Sequence, residues 1–249
     1  TPHKFFFTRL DTMLASNKNT TVASSTEALN HARYILLNHM PGKGIQTTNH
    51  TFNAVISGYS ALGMGNEAEQ LLLESETLLS QSSSRPAALN TASSRPAALD
   101  TACYNSVLNA YSRERNGVSS VERLFRAMKE QTPLHLGALR AEIMPPVPDM
   151  ISFASMLNCY SNNRMGEEAC ALVEQIERPT SACYLSAIRA LDRSNDPAVP
   201  DRVLALVGQI ETVRNGNSKG PTALTRNVFN AAMQCMIKHG QGARAEELL

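Results

Sequence analysis

One short segment recurs along this chain and constrains the fold more than any other feature. Thr51-Phe52-Asn53-Ala54-Val55-Ile56-Ser57-Gly58-Tyr59-Ser60 returns almost register for register as Cys103-Tyr104-Asn105-Ser106-Val107-Leu108-Asn109-Ala110-Tyr111-Ser112, and again from Ser152-Phe153 to Tyr160-Ser161. Looser copies start at Cys183-Tyr184 and Val228-Phe229. In each, the aromatic, the apolar pair three and four residues on and, where present, the Tyr seven on share one side of a 3.6-residue period, which predicts an amphipathic helix A. A break containing Gly63 and Gly65, Gly117, Gly166, or Gly240 and Gly242 follows, and then a second helical pattern over 66–79, 118–129, 167–177 and 243–249. In the fourth copy the break is 194–200, with Pro200 suited to a helix start. Apolar stripes such as Leu124, Phe125 and Met128, or Ala169, Leu172, Val173 and Ile176, give this helix B a buried face.

A hairpin of this size cannot bury its stripe alone, so neighbours must stack to complete a core. Residues 1–48 read as a degenerate N-terminal hairpin with helices over 5–14 and 26–40, and 49–249 as the repeats proper, the last of them truncated. The helix-A aromatics are spaced 52, 49, 31 and 45 residues apart, and the excess falls in two insertions, about 81–99 and 132–148. The first overlaps a tandem duplication, SSRPAALNTA then SSRPAALDTA, and both read as flexible surface loops.

Several function classes find no support. Five cysteines form no C-x-x-C pair and have no His at zinc-ligand spacing, so they read as reduced core thiols and no metal site is expected. The six histidines read as surface or packing residues, and no nucleophile motif, carboxylate cluster or phosphate loop appears. Neither an enzyme, a cofactor nor a small-molecule substrate is expected. No run of eighteen apolar residues marks a membrane span. The chain starts at Thr1 and not at Met, so the reading is that of a fragment whose targeting segment is out of view. With 23 Lys plus Arg against 22 Asp plus Glu, any basic surface must come from distribution, since the total supplies none.

The aromatic followed by Asn, the Gly-containing turn, the Glu-Ala opening helix B and the later Leu-Phe or Leu-Val with Met or Ile resemble the pentatricopeptide repeat (PPR) family, over essentially 49–249. The resemblance implies an all-α, right-handed α-solenoid of stacked helix-turn-helix hairpins that binds single-stranded RNA in a mitochondrion or chloroplast, one base per repeat. It also implies which residues read the bases: the one after each helix-A aromatic, paired with the one four before the next. These pairs are Asn53 with Asp100, Asn105 with Asp149, Ala154 with Thr180 and Leu185 with Thr225, with Asn230 opening a fifth. Asn offers a base edge both donor and acceptor, and a nearby carboxylate can hold its amide. Asn with Asp is similar to family pairs that favour uracil, so a U-U preference is expected over the first two repeats. His50, Ala102, Ile151, Ala182 and Asn227, two before each aromatic, would flank the bases.

Two blander readings stand beside these. Asp100 and Asp149 precede helices and equally suit N-caps. The solenoid equally suits a protein-interaction scaffold, such as a subunit of an organellar ribosome, with organellar proteins as partners. A third reading makes the chain the targeting arm of an enzyme whose catalytic domain follows residue 249.

Overall fold

The computed structural model describes residues 22–45, 47–82, 99–114, 116–135, 142–194, 196, 198–216 and 226–246. The expected first helix over 5–14, the tandem duplication up to residue 98 and Thr225 lie outside these residues. By internal contacts the chain divides into two units, Thr1–Ser152 and Phe153–Leu249.

In the first unit α1 (Val22–Tyr34) continues through a π-helical turn, Ile35–His39, into a last turn, Met40–Gly42. Then come α2 (Asn49–Leu62), α3 (Gly65–Ser82), α4 (Thr101–Ser112), α5 (Val118–Glu130) and the first residues of α6 (Met150–Asn162). The second unit holds the rest of α6, then α7 (Gly166–Glu174), α8 (Ser181–Arg193), α9 (Val199–Gly216), α10 (Arg226–Lys238) and α11 (Gly242–Glu246). The even-numbered helices from α2 to α10 are the five helices A, and the odd-numbered ones from α3 to α11 are the helices B. Helix α2 packs on α3 and on α4, α4 on α5, α8 on α9 and on α10, and α10 on α11, so each unit is a stack of helical hairpins.

The expected all-α fold holds except for one detail. In the 132–148 insertion Leu134–His135 pairs antiparallel with Glu142–Ile143, and Leu134 is buried. A two-residue ladder has too little alternation to register in sequence. Helix α7 ends at Glu174, three residues before the expected 177, and Ile176 packs from beyond its end at 7% exposure.

Local signals explain where the helices start and stop. Thr48 caps α2 in a reciprocal capping box with Thr51, and Asp100 caps α4 through Cys103 N–H at 3.2 Å. The A-to-B turn repeats one geometry in three copies. A left-handed residue, Gly63 (φ +68°), Arg164 (φ 61°) or Gly240 (φ +74°), ends helix A. The next residue then donates back across the last turn: Met64 to Tyr59, Met165 to Tyr160, Gln241 to Met236. At Gly117 the requirement is closeness, because a Cβ there would lie 2.0 Å from the Tyr111 carbonyl oxygen.

The aromatics build the core. Phe52, Tyr59 and Tyr104 are completely buried, each contributing on the order of 2–3 kcal/mol by burial of apolar surface. Ion pairs join α1 to α3, Arg33 to Glu74 at 2.6 Å, and successive helices B, Glu69 to Arg123 at 2.6 Å and Glu167 to Arg202. Arginines at or after the ends of helices A do similar work. Arg113 donates to the Ser60 carbonyl at 3.4 Å and Arg193 to that of Ser161 at 3.1 Å, satisfying carbonyls at the end of the preceding helix A.

Candidate nucleic-acid interface

At about 100° per residue, the position after the aromatic lies some 100° round the helix from it and the position two before lies some 160° round, on the same side. The two therefore share a flank about 60° wide. The burial follows this wheel. His50, Ala102, Ile151, Ala182 and Asn227 are all exposed, Ile151 to 62%. At the reading position Asn53, Ala154 and Leu185 are half-buried, Asn230 is exposed and Asn105 is buried.

Asn105 is fixed from both ends. Its Nδ2 donates to Asp149 Oδ1 at 3.0 Å, and its Oδ1 accepts from Ser152 Oγ at 2.6 Å. Asp149 Oδ1 meanwhile accepts from the backbone N–H of Ile151 (3.0 Å) and Ser152 (2.9 Å), capping α6. The capping and amide-holding roles thus coexist in one carboxylate. Partial burial opposes its ionisation, but the Ser152 N–H, the Asn105 amide and the Ile151 N–H outweigh that and hold Asp149 below the usual carboxylate range. Among the described residues, one N–H and one lone pair of the Asn105 amide remain uncommitted.

Asn53 is held differently. Its Oδ1 accepts from Ser57 Oγ at 3.3 Å on its own helix and from Ser106 Oγ at 3.0 Å on α4, while Asp100 serves as the cap of α4. The pair Asn53 with Asp100 makes no direct hydrogen bond among those seen, and the neighbouring serines take the orienting role. Ala154 and Leu185 present no side-chain hydrogen-bonding group. Thr180 is exposed with its Oγ1 at 3.3 Å from Cys183 Sγ.

In the second unit the flanks of α8 and α10 enclose a groove of about 460 Å³ whose lining includes Leu185, Asn227 and Asn230. Arg189, Gln234 and Lys238 line it too, and Lys238 pairs with Asp192 at 3.0 Å. Sequence reasoning passed over Arg189 and Gln234, although the signal was present: both stand five after the helix-A aromatic, where the other copies carry Ser57, Asn109 and Asn158. A column of polar residues at one repeat position extends the flank by one helical turn. It is this column that joins successive helices A in the first unit, through Ser57 with Ser106 (3.1 Å) and Asn109 with Ser60 (3.0 Å).

The structure also gathers Asp192, Cys235 and His239, whose donor atoms lie within 4.8 Å of one another. The reading of Cys235 without a His partner missed this, because a His four residues on shares the Cys face of a helix. Asp192 arrives from the neighbouring helix A, which spacing along the chain does not reveal.

Against known proteins, the PPR repeat profile matches residues 50–77, 102–131 and 151–178, the hairpins built on Phe52, Tyr104 and Phe153. No curated protein matches the chain.

Proposed function

Because the chain carries PPR repeats at residues 50–77, 102–131 and 151–178, we propose that it binds single-stranded RNA along the flanks of its helices A and selects uracil at the two repeats opened by Phe52 and Tyr104. The observation that carries this reading is the Asn105 amide, held by Asp149 and Ser152 with one donor and one acceptor left over. Uracil offers a complementary acceptor and donor on its pairing edge. A preset amide spares the ordering cost that a free side chain would incur on binding. Exposed Ile151 and His50 flank these positions and supply stacking surface. Ala154 and Leu185 make the next two repeats weakly selective. The mechanism is occupancy without catalysis, protecting or presenting a transcript. On the family resemblance alone we place that role in a mitochondrion or chloroplast, in RNA processing, stability or translation. Among the described residues no helix is long and apolar enough to cross a membrane.

The test compares binding of U-rich and A-rich single strands at near-physiological salt, for the wild type and for Asn53→Ala with Asn105→Ala. We expect a U preference that the double variant reduces about tenfold or more, from the loss of one or two net hydrogen bonds per repeat. Binding indifferent to both base and mutation would instead favour a protein-interaction scaffold.

A further inference from the structure

We infer that Asp192, Cys235 and His239 form a binding site for a divalent transition ion of zinc type, tying helix α8 to helix α10. Cys235 and His239 are four residues apart on one helix face, His239 just beyond the end of α10, and Asp192 approaches from α8. A thiolate, an imidazole and a carboxylate form a mixed donor set that suits zinc, with water completing four-coordination. At zinc–ligand bond lengths, tetrahedral donors sit about 3.5 Å apart. The three donors, all within 4.8 Å of one another, therefore need to draw in by little more than 1 Å.

A second observation points the same way. His239 Nε2 is a buried nitrogen with no hydrogen-bond partner among the described residues. Leaving a buried polar atom unsatisfied costs roughly 1–3 kcal/mol, and an ion coordinated there removes that cost. The Asp192 carboxylate is currently balanced by the Lys238 ammonium at 3.0 Å, and Arg189 lines the same groove. A bound ion would take over the balancing, with Lys238 moving outward from its 59% exposed position. Burial first, and Asp192 second, push the Cys235 thiol up to about 11. On binding, the S–H bond breaks, the sulfur–metal bond forms, and the proton passes to solvent.

The test titrates the metal-free chain with cobalt(II) and follows the near-ultraviolet charge-transfer band of a cobalt–thiolate bond, then displaces cobalt with zinc. We expect one equivalent to bind with the band, which Cys235→Ser abolishes and Cys170→Ser leaves intact. Asp192→Asn and His239→Gln, at less buried positions, are expected to keep the helical circular dichroism and weaken binding about tenfold or more. No band, or a band that survives Cys235→Ser, would overturn the site. So would Asp192→Asn and His239→Gln variants that fold and bind as tightly as the wild type.

Discussion

Arg164 occupies a backbone position that its own repeats fill with glycine. Gly63 and Gly240 take the left-handed conformation at the same turn, and Arg164 takes it at φ 61° with its side chain exposed. A left-handed residue with a Cβ costs about 1–2 kcal/mol, while glycine returns part of that through a more flexible unfolded chain. Arg164→Gly is therefore expected to stabilise the fold by about 0.5–1 kcal/mol, read as a higher denaturant midpoint at unchanged slope. The residue scale is also where sequence reading was strongest and where it stopped. The identity and register of Asn105 and Asp149 were plain from the repeat, as was the capping chemistry of an Asp before a helix. That Ser152 would close the triangle by donating to the Asn105 oxygen required the facing of two helices, which one strand of sequence does not contain.

Helices A and B were legible because their stripes are long and strongly periodic, while their ends moved by a few residues, α3 running on to Ser82 and α7 stopping at Glu174. The ion pairs between successive helices B were not legible, since each joins residues from different hairpins. They also differ in weight. Glu69 keeps 11% of its side-chain surface exposed and accepts from both Arg123 and the Tyr111 hydroxyl, each at 2.6 Å, whereas Glu167 and Arg202 are 45% and 50% exposed. Glu69→Ala removes the closer acceptor of the buried Tyr111 hydroxyl, which keeps Asn66 at 3.2 Å, and leaves the 53% exposed Arg123 to water, and is expected to cost about 1–2 kcal/mol. Arg202→Ala is expected to cost under about 1 kcal/mol. Chemical denaturation of the two variants side by side checks the contrast.

For the molecule as a whole, near-neutral charge sets the character of binding. The chain sets 23 Lys plus Arg against 22 Asp plus Glu, and the groove in the second unit carries Arg189 and Lys238, the latter already paired. Few phosphates can then be neutralised. The logarithm of RNA affinity should fall with that of salt at a slope of about −2 or shallower, which corresponds to roughly three phosphates on a single strand. Measuring affinity from low to moderate salt checks this, and a steep slope would mean that charge dominates over base contacts. The position of Asp149 carries one more consequence. It caps the helix of one hairpin while steadying the Asn105 amide of the hairpin before, so the unit that recognises runs past the hairpin that folds and takes in the cap of the next. Recombination or engineering that exchanges segments at the A-to-B turn between α4 and α5, or within the 132–148 insertion, separates Asn105 from Asp149, whereas a border placed just after Asp149 carries the partnership over whole. Inheritance of specificity in this chain therefore has a preferred phase.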